Sequence, residues 1–65
     1  MKTMTVLLER KGGEYRPIDK VSKKCTGVVS DENELDSLKA ACKKTGVGLV
    51  IFDRVKNTVE RMVRS

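Results

Sequence analysis

The chain has 65 residues, 35% of them charged and 38% hydrophobic, so residues 1–65 are expected to form a single small domain. Its apolar residues are too numerous and too clustered for a disordered chain, and its longest apolar run is too short to cross a membrane. Lys and Arg total 14 against 9 Asp and Glu, and this net charge of +5 suits contact with phosphate backbones.

The positive charge is concentrated at the two ends of the chain. Residues 1–24 carry a net charge of +4, residues 25–45 carry −1 and residues 46–65 carry +2. The two cysteines, without any histidine, cannot complete a tetrahedral zinc site within one chain, and we expect both to be buried as small hydrophobic residues. The apolar run after Lys2 is too short for a secretion signal, so we expect a cytoplasmic protein without membrane association.

The first predicted element is a strand over 3–10, which a Gly-Gly pair ends. The residues after the Gly-Gly pair fit two alternative structures. In one, the glycines form a hairpin turn and residues 14–18 return as a second strand, which Pro17 confines to the edge of a sheet. In the other, Pro17 opens a short helix over 17–24, in which apolar residues recur at helical spacing. That spacing favours the helix.

The clearest predicted element is a helix over 31–45, preceded by a short strand over 26–30. Asp31 is a candidate N-cap with Glu34 as its capping-box partner, and Gly46 is a candidate left-handed stop. Acidic residues fill the first turn and lysines fill the last, as the helix dipole favours. The predicted inward stripe consists of Leu35, Leu38, Ala41 and Cys42.

The last third of the chain predicts a buried strand and a closing helix. The apolar run over 47–52 is typical of a strand covered on both faces, as in the centre of a parallel sheet. Asp53 is then a candidate N-cap, and apolar residues follow it at helical spacing. These residues are Val55, Val59, Met62 and Val63.

The order of elements predicts an α/β fold with a small three-stranded, mostly parallel sheet and two to three helices. If the N-terminal hairpin forms instead of the helix over 17–24, the alternative is a mixed four-stranded sheet.

Glu9 and Lys11 lie two apart on the first strand and therefore share one face. This spacing suits metal-dependent phosphodiester cleavage, in which a carboxylate holds a divalent cation and a lysine orients water or stabilises charge. The series LLERK, TGVVSDENELDSLKAACKKTGVGLVIFD and a closing helix resembles the later half of a PD-(D/E)XK, or restriction-endonuclease-like, domain over residues 5–53. The resemblance implies that Glu9 is the metal carboxylate, with Mg²⁺ as cofactor, and that Lys11 is the catalytic lysine.

One element of that family is missing. The family places another acid on the strand before Glu-x-Lys, whereas residues 1–8 contain no acid. A second carboxylate then has to come from Asp19, Asp31, Asp53 or another subunit. The resemblance therefore implies a truncated or degenerate nuclease core, which binds nucleic acid without cleaving it and needs no cofactor.

The N-terminal half holds the densest group of basic residues. The members of this candidate phosphate-binding patch are Arg10, Lys11, Arg16, Lys20, Lys23 and Lys24. Tyr15 is the one candidate for an exposed aromatic residue, and a single ring is a poor platform for stacked bases.

We therefore expect a non-catalytic protein that binds nucleic acid through backbone phosphates. The alternatives are a protein-interaction or oligomerisation module, such as a homodimer, and a metal-dependent nuclease completed by another subunit.

Overall fold

Strands β1 (Thr5–Lys11) and β2 (Glu14–Pro17) form an antiparallel hairpin in the computed structural model, which describes residues 4–64. Gly12 and Gly13 make the turn with φ values of 57° and 86°. Glycine adopts these left-handed conformations without a steric cost, so the pair suits a tight hairpin. Both predicted alternatives form in part: Pro17 ends an edge strand instead of opening a helix, and the short helix predicted over 17–24 begins three residues later, at Lys20.

A short helix, α1 (Lys20–Thr26), follows the hairpin. Asp19 is its N-cap, and its carboxylate accepts a hydrogen bond from the Ser22 N–H at 2.8 Å. The helix lies beside the first half of β1, where β2 no longer continues. There the buried Ser22 hydroxyl accepts a hydrogen bond from the Leu7 N–H at 2.8 Å. A helix side chain thus satisfies a strand donor that lacks a strand partner.

The predicted strand over 26–30 does not form. Gly27 ends α1 with a positive φ of 68°, and only a few residues separate the two helices. Val29 alone keeps an extended pairing, since it exchanges two backbone hydrogen bonds of 2.8 Å with Tyr15.

The prediction of a long helix is confirmed by α2 (Glu32–Thr45). The Asp31 carboxylate accepts a hydrogen bond from the Glu34 N–H at 2.9 Å, and Gly46 ends the helix in the left-handed conformation. The Glu34 carboxylate accepts a hydrogen bond from the Ser30 N–H, whereas in a standard capping box it would accept from the N–H of the N-cap residue, Asp31. Within the predicted stripe, Leu35 and Cys42 are buried, Leu38 is half-buried and Ala41 is exposed.

The last two elements are strands β3 (Gly48–Asp53) and β4 (Thr58–Val63), joined by a short turn. The predicted closing helix is therefore wrong. Asp53 caps the turn, with its carboxylate accepting from the Lys56 N–H at 3.1 Å, and Asn57 adopts a left-handed φ of 55°. This turn sends the chain back along the open edge of β3, where pairing satisfies backbone groups that a separate helix would leave unpaired.

The four strands form one mixed sheet in the order β2-β1-β3-β4, with β1 and β3 parallel and both outer pairs antiparallel. The expected three-stranded, mostly parallel sheet is wrong, and the mixed four-stranded alternative fits. Its fourth strand comes from residues 58–63, not from residues 26–30.

Helix α2 covers one face of the sheet, and the core lies between them. The buried residues are Val6, Leu8, Tyr15, Val29, Leu35, Cys42, Leu49 and Ile51. Cys25 is exposed, so the expectation of two buried thiols holds only for Cys42. Within residues 4–64, neither helix is long and apolar enough to cross a membrane.

Candidate nucleic-acid interface

The sheet face opposite α2 carries no helix from residues 4–64, and we call it the open face. Side chains alternate along a strand, so the residues between the buried ones point to it. On β3, for example, Leu49 and Ile51 are buried against α2 while Val50 and Phe52 are half-exposed on the open face. The expectation that β3 is covered on both faces is therefore wrong.

Two rows of side chains cross the open face. The strand register gives the first row as Arg16, Glu9, Phe52 and Val59. The second row is Ile18, Leu7, Val50 and Arg61. Neighbouring strands lie about 4.8 Å apart, so each row is about 14 Å long. The centre of the face thus consists of Leu7, Val50 and Phe52, which we call the apolar centre, together with the carboxylate of Glu9, and the other charged residues lie around it.

Basic residues surround this apolar centre. Lys11 lies at the end of β1 on the same face as Glu9, and Arg54 forms an ion pair with Glu9. Arg61 and Arg64 line a groove of about 410 Å³ at the other end of β3. We call Lys11, Arg16, Arg54, Arg61 and Arg64 the arginine rim, since four of its five members are arginines.

The acidic residues of the open face are both bound to arginines of the rim. Glu9 pairs with Arg54, and Glu14 lies 3.4 Å from Arg16. Within residues 4–64, Lys11, Arg61 and Arg64 form no ion pair. Five cations against two engaged carboxylates make this face strongly positive, so it attracts anions.

Helix α1 adds a lysine to this side of the molecule. Ser22 faces β1, while Cys25 lines a crevice with Cys42 on the α2 side. Successive helix residues are about 100° apart, so Lys23 lies on the side away from Cys25, toward the open face. The exposed Lys20 and Lys24 point away from β1.

Arg10 lies on the other side of the sheet from the rim. Its guanidinium lies over the Tyr15 ring, 5.8 Å from the centroid, and both residues line a pocket of about 140 Å³ with Glu32, Asp53 and Glu60. The structure therefore separates Arg10 from Lys11 and Arg16, its neighbours in the predicted patch.

Tyr15 is 3% exposed, which overturns its prediction as the exposed aromatic residue. Its hydroxyl donates a hydrogen bond to the Glu32 carboxylate, and this bond, together with burial, raises the pKa of Tyr15 above its usual value. The ring is part of the core and is not available to a base. Phe52 on the open face is the aromatic residue that a ligand can reach.

Glu9 and Lys11 share the open face, and of the three predicted second carboxylates only Asp53 lines a groove with Glu9, where its carboxylate accepts the hydrogen bond of the Lys56 N–H. Asp19 caps α1, where its hydrogen bonds with Ser22 lower the pKa of the carboxyl. Asp31 caps α2, and Asp53 lies on the side of the sheet that faces α2. In the described part of the chain, no three His, Cys, Asp or Glu side chains are grouped to hold a metal ion.

Four residues of the open face are absent from the predicted site. A strand over 47–52 covered on both faces would leave Phe52 out of a ligand's reach, and the predicted closing helix would not bring Arg54, Arg61 and Arg64 onto the sheet. Alternation along residues 58–63 is the signal that could have found Arg61, because Val59 and Arg61 then share a face.

No protein-family model, curated protein or solved structure matches this chain. The similarity to the PD-(D/E)XK family therefore stays a prediction.

Proposed function

We propose that this protein binds nucleic acid without cleaving it, using the open face to contact backbone phosphates. The observation that carries the proposal is the arginine rim: within the described residues 4–64, one sheet face without a helix carries five cations and two carboxylates among them. Guanidinium groups donate paired hydrogen bonds to phosphate oxygens, so four arginines suit a phosphate backbone better than a diffuse lysine surface does.

Apart from Glu9 and Glu14, which are paired with rim arginines, most acidic residues lie on the α2 side of the sheet. Glu32, Asp53 and Glu60 line the pocket on the α2 side, and the other acids of α2 lie on that side of the sheet. The open face is therefore more positively charged than the α2 side, and this difference in electrostatic potential orients a polyanion toward the open face. A cytoplasmic location suits this activity.

Glu9 and Lys11 take a different role here from that implied by the family resemblance. The Glu9 carboxylate holds Arg54 in place on the open face, and Lys11 is one of the phosphate contacts. Mg²⁺ is not needed for either role. We therefore expect binding in EDTA to be at least as tight as in magnesium, since Mg²⁺ is not required and competes with the rim for phosphates.

The test is fluorescence anisotropy with labelled single-stranded and duplex oligonucleotides of about 15 nucleotides, at about 50 and 200 mM salt. The double substitution Arg61→Gln and Arg64→Gln should weaken binding about tenfold or more at the lower salt concentration, since two phosphate contacts are lost. The matched control is Lys39→Gln with Lys43→Gln, which removes the same charge from exposed positions of α2.

Equal losses in the two double variants would show that only net charge matters, and would overturn the open face as the site. No binding of any oligonucleotide at the lower salt concentration would overturn the function, and a stable oligomer would then favour the protein-interaction alternative. Cleavage that needs Mg²⁺ and is lost in Glu9→Ala would favour the nuclease.

A further inference from the structure

The centre of the open face has a feature that phosphate binding does not use. Phe52 lies on an inner strand and is only partly buried, with Val50 two residues along the strand and Val59 paired beside it. Ile18 and Val59 are 50% and 59% exposed, so the apolar area extends to both sides of the ring. A ligand that contacts only the rim would leave this area in water.

A shallow groove lies beside the ring. It has a volume of about 180 Å³, and its lining includes the apolar Ile18, Phe52 and Val59, the paired Glu9 and Arg54, and Asp53. The site therefore combines an aromatic ring and branched aliphatic side chains with a guanidinium that is already paired with a carboxylate. That combination suits a flat, partly apolar group with a phosphate attached to it.

We infer that the open face selects single-stranded over duplex nucleic acid, with one unpaired base lying on Phe52 and its flanking phosphates on the arginine rim. This inference rests on the proposed function. In a duplex the base faces are stacked on each other and the outer surface is phosphate, so nothing in a duplex covers Phe52. In a single strand the base faces are free to stack on an aromatic side chain.

The distances on the sheet agree with this arrangement. Val59 is one strand spacing from Phe52, about 5 Å. On the other side, Glu9 is one spacing away with its carboxylate paired to Arg54, and Arg16 is two spacings away, about 10 Å. Arg61 is the diagonal neighbour of Phe52 on β4, about 7–8 Å away between backbones. Long arginine side chains on both sides therefore reach the phosphates that flank a base on the ring.

Charge disfavours a second copy of this chain as the occupant. Two open faces packed together would bring the arginine rim of one molecule against the rim of the other. Repulsion between like charges across an interface opposes such a complex. A single strand brings one negative charge with each nucleotide, so it complements the rim and the apolar centre at once.

The test compares three labelled ligands of about 15 nucleotides: oligo-dT, an abasic strand with the same phosphates, and a duplex. Oligo-dT should bind about tenfold more tightly than the abasic strand, because only oligo-dT offers a base to the ring. Phe52→Leu should remove most of that difference and leave the abasic strand's affinity unchanged. Phe52→Tyr, which keeps the ring, should bind oligo-dT like the natural protein.

The comparison of ligands uses the unchanged protein, so it decides the question even if Phe52→Leu does not fold. Equal affinities for the three ligands would overturn this inference and leave phosphate binding intact. Binding of none would overturn the proposed function itself. Oligo-dT binding that exceeds abasic binding but is unchanged in a folded Phe52→Leu would also overturn the inference, since the base would then lie elsewhere.

Discussion

At the residue scale, Ser22 holds helix α1 against strand β1. Its side chain is fully buried, and its hydroxyl accepts the hydrogen bond of a β1 backbone N–H that has no strand partner. A buried backbone donor without an acceptor is costly, so a single hydroxyl decides whether α1 stays against β1. Sequence patterns do not reveal this role, because a serine in a short helix is usually exposed.

Ser22→Ala should lower the free energy of unfolding by about 1–3 kcal/mol, because it leaves the Leu7 N–H buried without an acceptor. The higher helix propensity of alanine offsets a few tenths of that loss. Urea unfolding followed by circular dichroism measures the change. Ser37→Ala, at an exposed position of α2, is the control and should stay within about 0.5 kcal/mol. A similarly small effect for Ser22→Ala would contradict the role assigned to the Ser22 hydroxyl.

Tyr15 should titrate above its usual pKa of 10.0 in the folded protein, mainly because Glu32 accepts its hydrogen bond. The chain has one Tyr and no Trp, so near-ultraviolet absorbance follows this residue alone. A raised folded pKa means that the neutral hydroxyl stabilises the fold below pH 10.0, and that this stability is lost as the pH rises through the folded value. Glu32→Ala and urea should each move the midpoint back toward 10.0; an unchanged midpoint in Glu32→Ala would exclude the hydrogen bond as the cause.

At the scale of elements, helix α2 and strand β4 show why some predictions hold and others fail. The caps and charges of α2 lie within one turn of its ends, so they act in any tertiary context. The apolar residues of 55–63 fit a helical period, yet the segment forms a strand because β3 offers it a pairing edge. The left-handed conformation of Asn57 makes that pairing possible.

Replacing Asn57 tests the turn before β4. Asn57→Val should destabilise the protein by about 1–2 kcal/mol, because a β-branched residue fits poorly at its φ of 55°. Asn57→Gly should retain or raise the stability, since glycine adopts that φ freely. Thermal unfolding measures both variants. Val55→Ala, at a 94% exposed position of the same turn, serves as control. Equal effects of valine and glycine at position 57 would contradict the left-handed conformation of Asn57.

At the scale of the whole molecule, basic and acidic residues are concentrated on opposite sides of the sheet. The open face carries the arginine rim, while the α2 side carries Glu32, Asp53 and Glu60 around Arg10. The predicted patch of six basic residues is therefore divided. Lys11 and Arg16 lie on the open face, Lys23 lies toward it, and Arg10 lies among carboxylates.

The number of phosphates contacted should appear in the salt dependence of binding. Five rim cations allow a log–log slope no steeper than about −3.5 for a single strand, or about a 100-fold loss of affinity between about 50 and 200 mM salt. Arg61→Gln should make the slope shallower by about 0.7, whereas Lys39→Gln should leave it unchanged. Titrations at several salt concentrations measure the slope. A slope unaffected by Arg61→Gln would place the phosphates elsewhere.

Local chemistry was enough to predict part of this protein. The α/β composition of the fold, the caps of α2 and the shared face of Glu9 and Lys11 follow from interactions between residues a few positions apart. The mixed sheet, the burial of Tyr15 and the joining of Arg16 with Arg61 depend on contacts between distant segments. Those contacts form because strand edges must be paired and apolar area must be covered, and neither requirement shows in the spacing of neighbouring residues.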